Sequence, residues 1–126
     1  MAGLVTRADD IHRCIVKDAV TIAEGNVVVF TATDDEVALP AGTGSLVVAG
    51  VALQGGVGVA DGSVKIDVAY GGPSLPCVAA AAISAGNTVV TNSTTGKVSA
   101  GTTAGAIVGV ALNNTTADGQ RVYVRR

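Results

Sequence analysis

The chain has 126 residues, of which 48% are hydrophobic but only 2% aromatic, and its formal net charge is −2. This length predicts a single domain, and the small net charge argues against an electrostatic nucleic-acid surface. The sequence contains 17 glycines and no Trp. Its core must therefore be assembled from Val, Ala, Leu and Ile, and a buried Val contributes only about 1.5 kcal/mol.

The N-terminal segment carries a disproportionate share of the charge. The charged residues among the first 24 are Arg7, Asp9, Asp10, Arg13, Lys17, Asp18 and Glu24. This uneven distribution predicts an N-terminal arm or leading strand over residues 1–21, followed by a sparsely charged β body over residues 22–126. The stretch DDIHRCIVKDAV fits both a weak helical face and an alternating strand. Because no basic start precedes an apolar core, we expect no secretory signal peptide.

Short β-branched runs after this segment predict an all-β fold. They are VVVF (27–30), SLVVAGVAL (45–53), SVKIDVAY (63–70), NTVV (87–90), AIVGVAL (106–112) and RVYVRR (121–126). Apolar and polar residues alternate in the third and the last of them, as in half-buried strands. Turns with positive φ are predicted at Gly62, Gly96 and Gly119. The alanine-rich run 77–83 permits one short turn of helix.

The chain also repeats itself. IAEGNVVV (22–29) returns as ISAGNTVV (83–90), and at the same offset Val37 returns as Val98 and Val47 as Val108. After a slip of two residues, GVAL (50–53) returns at 109–112. We interpret this as two copies of one supersecondary unit, residues 22–68 and 83–124.

Neither a membrane span nor a disulfide framework is expected. The nearly uncharged stretch 37–60 is interrupted by Pro40 and several glycines, which is wrong for a spanning helix. Cys14 and Cys77 are too few and too far apart in sequence for a disulfide scaffold. We expect both to be reduced, small hydrophobic side chains in a protein made in the cytoplasm.

The sequence shows no catalytic machinery, so we predict that the protein is not an enzyme and holds no metal or cofactor. His12 is the single histidine, and a nucleophile–histidine pair would depend on it alone. The Asp9, Asp10, His12, Cys14 group matches no zinc spacing, and a solvated surface run is the simpler interpretation. The acidic run at 34–36 is predicted to be an exposed turn.

Several of these segments resemble the capsid-cement, or head-decoration, proteins of tailed bacteriophages. The resemblance rests on IAEGNVVV, on ISAGNTVV followed by TGKVSAG, and on AIVGVALNNTTADGQRVYVRR. The corresponding residues are Ala85-Gly86, Val89-Val90, Thr95-Gly96-Lys97-Val98, Ile107 to Ala111, and Val122-Tyr123-Val124. It covers about residues 20–126 and leaves the N-terminal segment unmatched.

This resemblance implies a fold and a structural role. It implies a small β-barrel or tulip-like domain that trimerises at local threefold axes on the outer surface of the virion capsid. There it binds and stabilises the shell of major capsid protein, with no nucleic-acid or membrane partner. The N-terminal segment would then add a strand to a neighbour's sheet edge. The expected capsid- or partner-binding residues are Arg7, Asp9, Asp10, Ile11, Arg13, Ile15 and Lys17.

Two alternatives remain open. Another β-rich virion component, such as a tail or fibre protein, would have a similar composition. A lipoyl- or biotin-carrier domain is also a small β-barrel with an internal repeat, and Lys97 follows a predicted turn.

If residues 1–21 are only an arm, deleting residues 2–18 should impair attachment far more than it lowers the melting temperature.

Overall fold

The structure, a computed structural model, describes residues 11–40, 48–71, 74–92, 95–102 and 107–126. Within these residues the protein is all-β, with no α-helix, which confirms the predicted fold class. The strands are β1 (Ile11–Val16), β2 (Thr21–Ile22), β3 (Val27–Phe30), β4 (Glu36–Ala38), β5 (Val48–Ala52), β6 (Gly56–Val57), β7 (Lys65–Ala69), β8 (Leu75–Val78), β9 (Thr88–Asn92), β10 (Lys97–Ala100), β11 (Ile107–Ala111) and β12 (Arg121–Arg125).

Five strands form a closed barrel in the order β1-β4-β3-β5-β7. Strand β1 closes it, pairing antiparallel with β7 from Ile11 to Ile15 and parallel with β4 at Ile15 and Val16. Cys14 and Val16 point into the barrel and are buried. The N-terminal segment is therefore, from Ile11, an integral strand and not a separate arm.

The interior of this first barrel is a compact apolar cluster. Its buried members are Cys14, Val16, Ile22, Val28, Val37, Ala49, Ala52, Ile66 and Val68. All are small or β-branched, as the composition required, and β-branched residues pack well on a pleated surface.

The second half of the chain builds a second sheet in the order β10-β9-β11-β12-β8. Its two outer strands approach each other through a parallel bridge between Ala79 and Val98. The Ala80 amide donates to the Val98 carbonyl at 2.7 Å, just as the Lys17 amide donates to Val37 at 3.0 Å in the first barrel. We call the second sheet the second barrel for this likeness, although its outer strands meet at this bridge and not through a full ladder.

The strand pairings of the two barrels correspond residue by residue. Val28 pairs with Gly50 and Val89 with Gly109, and a register shift adjoins each pair. The amide of Gly25 donates to Ala52 and that of Gly86 to Ala111, both at 2.8 Å. Two units of the same topology thus stand in tandem.

The register fixes which residues are equivalent on either side of the bulge. Val48 pairs with Val29 just as Ile107 pairs with Val90, so Val48 corresponds to Ile107 and Ala49 to Val108. The sequence comparison had matched Val108 to Val47, which lies outside the described residues. The two units differ in the length of the preceding connection: Val48 follows Val37 by 11 positions, whereas Ile107 follows Val98 by 9, so the sequence offset falls from 61 to 59.

Each unit also begins earlier than the sequence repeat indicated. Strand β1 pairs with β7 as β8 pairs with β12, so β8 is the counterpart of β1.

The run 77–83 contains the end of β8 and no helix, so the expected helical turn is wrong. The predicted turns at Gly62, Gly96 and Gly119 are confirmed by φ values of 72°, 71° and 90°.

The two barrels pack through one face of the first. Val27, Val48, Val51 and Ala69 point outward from the first barrel and belong to the same buried cluster as the interior of the second. Leu53 packs against the rim of this cluster. The first barrel therefore buries an inner and an outer apolar layer.

Candidate partner-binding surfaces

The outward side of β1 brings together three of the residues expected to bind a partner. Ile11, Arg13 and Ile15 alternate with the buried Cys14 and Val16, so they lie on the same face of the barrel. This face, which we call the β1 face, consists of Ile11, Arg13, Ile15, Asp35, Lys65 and Asp67. Arg13 donates to Asp67 at 3.0 Å. A shallow cavity of about 130 Å³ lies between Arg13, Ile15, Asp35 and Lys65.

The remaining expected residues are placed differently. Lys17 follows β1 and is exposed, with its amide bonded to Val37. Arg7, Asp9 and Asp10 lie outside the described residues. Ile15 and Val16 are paired with strand β4, so they are not free to add to a neighbour's sheet edge, whereas residues 11–14 pair with β7 alone and strand addition through them stays a prediction.

The first barrel is open at one end. A cavity of about 290 Å³ is lined by His12, Cys14, Phe30, Ala49, Val68 and Tyr70. In the second barrel, the register places Leu75 at the position of His12 and Val108 at that of Ala49. Both of these larger apolar side chains are buried. The mouth of the first barrel is open because smaller or more polar residues stand at these positions.

The polar groups at this mouth do not form a nucleophilic pair. His12 Nε2 lies 3.1 Å from a carboxylate oxygen of Asp35 and not against the thiol. Burial, with a further contribution from Asp35, raises the pKa of the Cys14 thiol. Since the thiolate is the reactive form, the environment makes Cys14 less nucleophilic.

A third surface was not anticipated from the sequence. On the outer side of the second barrel, Ile107, Val110, Leu112 and Tyr123 are 47%, 41%, 47% and 46% exposed. We call this group the β11 face. Leu112 and Tyr123 are direct neighbours on adjacent strands. Scattered apolar residues are common on surfaces, but a group on one face is a candidate interaction surface.

The described residues hold no group of three or more His, Cys, Asp or Glu side chains arranged to bind a metal ion. Within the same residues, no helix is long and apolar enough to span a bilayer.

Comparison with known proteins adds no assignment to these surfaces. No protein-family model matches the chain, and no curated protein matches it significantly in sequence.

Proposed function

We propose that this protein is a structural virion component that decorates a phage capsid, binds the shell of major capsid protein and stabilises it as a trimer at local threefold axes. The observation that carries the proposal is an all-β body with two exposed surfaces, the β1 face and the β11 face. A subunit that assembles with further copies of itself on a shell needs more than one adhesive face.

The motifs behind the resemblance to capsid-cement proteins support a scaffold role for the residues concerned. Gly86 and Gly96 adopt φ values of 89° and 71°, a conformation that glycine adopts without steric cost. Lys97 begins β10, and its ammonium donates to Asp118 at 2.8 Å. These residues maintain turns and strands. Their resemblance to the motifs of the family therefore supports a similar fold and identifies no binding residue.

The N-terminal residues supply the proposed partner surface. Ile11, Arg13 and Ile15 present apolar and charged groups side by side on β1, next to the exposed Lys17. Their proposed partner is the capsid shell or an adjacent copy of the protein. In either case the overall affinity is raised when several weak contacts form at once, because the first contact holds the others at a high effective concentration.

The direct test mixes the purified protein with empty mature capsids and locates it by electron microscopy. We expect copies at the local threefold positions. In a separate measurement on DNA-filled particles, decorated particles should release their DNA at a higher temperature than bare ones. The protection should persist at 1 M salt, where the Debye length is only about 3 Å. Equal release temperatures for decorated and bare particles would contradict the proposal.

The alternatives make different predictions in the same experiments. A tail or fibre component would be located away from the shell in intact virions. A carrier domain would show an added mass on Lys97 after expression with a lipoyl or biotin ligase. The Lys97–Asp118 ion pair gives no support to a carrier, whose modified lysine must be presented to the ligase.

A further inference from the structure

The contact between the two barrels is a built interface with apolar and polar parts. Its apolar part is the outer layer of the first barrel, which includes Val48 and Val51. Its polar part includes the Val27 amide, which donates to the Gly96 carbonyl at 2.7 Å. Arg121 also contacts Glu24 at 3.3 Å. The contact thus joins two different surfaces. One is the outer apolar face of the first barrel, and the other, which we call the receiving surface, lies on the second barrel around Gly96 and Arg121.

The face that the first barrel offers has an equivalent on the second. The bulged ladders equate Val48 with Ile107, and the pairings that follow equate Val51 with Val110. Leu53 donates to the Asp67 carbonyl just as Leu112 donates to that of Tyr123, so these two leucines are equivalent as well. The first barrel buries this apolar surface, whereas the second exposes it as the β11 face.

The receiving surface is duplicated too, on the first barrel. Arg121 pairs with Val78 across β12 and β8 as Lys65 pairs with Ile15 across β7 and β1. Gly96 has its counterpart in Asp35, and both adopt positive φ, 71° and 57°. The counterparts Ile15, Lys65 and Asp35 line the shallow cavity of the β1 face.

We infer that the β11 face of one copy docks on the β1 face of a second copy and repeats, between molecules, the contact that joins the two barrels within one. Such an interface joins two different patches, so it is heterologous and closes into a ring when the rotation permits. The inference relies on the proposed function only for the number of copies, a ring of three. It assigns Arg13 and Ile15 to an adjacent copy and not to the capsid shell.

Two replacements make the contact between copies weaker than the internal one. The position of Ala69 is occupied by Arg125 on the second barrel, and the position of Pro76 by Arg13 on the first. Arg13 is already bonded to Asp67 at 3.0 Å. Docking must desolvate this ion pair, which costs free energy. The association should therefore be reversible and depend on concentration.

A crosslinking experiment tests the predicted pairing. The internal contact Glu24–Arg121 translates into a contact between Ala85 of one copy and Lys65 of the next. We would prepare Ala85→Cys and Lys65→Cys as separate variants, mix them and add a bis-maleimide with a short spacer. A crosslinked dimer is expected in the mixture and not with either variant alone. The wild type controls for Cys14 and Cys77, which are buried.

A matched pair shows whether the position matters. Ala60 is exposed and lies in a turn, so Ala60→Cys replaces Lys65→Cys in the control mixture and should give no crosslink. Crosslinking within Ala85→Cys alone would indicate a symmetric contact of identical patches and overturn the head-to-tail arrangement. Absence of the mixed dimer at all concentrations would overturn the contact itself.

A second measurement does not depend on cysteine chemistry. Sedimentation of the wild type over a range of concentrations should show reversible association. Val110→Glu should weaken it by about tenfold or more, because a charge would be buried at the contact. Val57 is 55% exposed on β6, which pairs with β2 outside the five-stranded barrel and belongs to neither face, so Val57→Glu should associate like wild type. Equal association of the two variants would overturn the inference. No capsid is present, so its failure is distinct from failure to decorate capsids.

Discussion

Cys14 and Cys77 occupy equivalent positions in the two barrels. Cys14 lies opposite Ile66 in the β1–β7 ladder, and Cys77 lies opposite Val122 in the β8–β12 ladder. Their exposed fractions are 2% and 0%. Both cysteines therefore fill the core as small apolar side chains, and their match shows that each unit includes its leading strand.

The buried thiol of Cys77 predicts a loss of stability at high pH. Burial raises its pKa from the ordinary 9.0 to about 12, against a smaller opposing effect of Arg121. In the unfolded chain the thiol ionises near its ordinary pKa, so the stability that Cys77 contributes is complete below pH 9 and is lost as the pH rises toward 12. Urea unfolding at a series of pH values should show this decline, and Cys77→Ala should reduce its slope.

Val122→Ala is the matched control, because it removes apolar volume from the same residue pair and introduces no titratable group. Its free energy of unfolding should be lower than that of wild type but should follow the same pH dependence. If Cys77→Ala and wild type gave parallel curves between pH 9 and pH 12, the thiol would not be buried in solution.

The sequence was sufficient to predict the long apolar strands and the turns, because both depend on the local order of side chains and glycines. Strand β8 was missed since Pro76 and the alanines after it disfavour a strand locally. The structure tolerates Pro76 because β8 is an outer strand of its sheet. The role of β1 was ambiguous because its closing partners, β4 and β7, are distant in sequence.

The candidate surfaces were less predictable than the fold. Ile107, Val110 and Leu112 resemble core residues in sequence, and only the packing of the barrels decides that they are exposed while Val48, Val51 and Leu53 are covered. The bulge between Ile107 and Gly109 also disrupts the two-residue alternation from which a face could be read. The β11 face could be identified only by matching the strand pairings of the two barrels residue by residue.

Strand β1 should be essential for stability. Val16 is 1% exposed inside the first barrel, whereas Ile11 is 43% exposed on the same strand. Val16→Ala should lower the free energy of unfolding by about 2 kcal/mol, and Ile11→Ala by no more than about 0.5 kcal/mol. Chemical denaturation of both variants measures the difference.

The same reasoning reverses the outcome expected for a deletion of residues 2–18. The truncated chain should fail to fold cooperatively, because it loses Cys14 and Val16 from the core and opens the barrel by leaving β4 and β7 each without a partner on one side. A truncated protein that melts near the wild-type temperature would show that β1 is dispensable.

The open mouth of the first barrel should accept a larger side chain. Ala49 lines the cavity of about 290 Å³, and its counterpart in the second barrel is the buried Val108. Ala49→Val should therefore raise the free energy of unfolding by about 1 kcal/mol. The reverse change, Val108→Ala, should lower it by about 1 to 3 kcal/mol by leaving a cavity. Destabilisation by Ala49→Val would mean that the mouth has no room for the added methyl groups next to the packed core.

The last prediction separates two reasons for keeping a glycine. At Gly109, the Cβ of an alanine would overlap the carbonyl oxygen of Arg125, which belongs to the neighbouring strand β12. At Gly119, φ is +90° but nothing lies within 4 Å of the added carbon. Gly119→Ala should thus cost only backbone strain, about 1 to 2 kcal/mol. Gly109→Ala must push β11 and β12 apart and should cost more, with a lower midpoint in urea. Because Gly109 adjoins Val110 on the β11 face, this variant should also lose association between copies, while Gly119→Ala retains it. Equal stabilities for the two variants would show that the strands are not in close contact at Gly109.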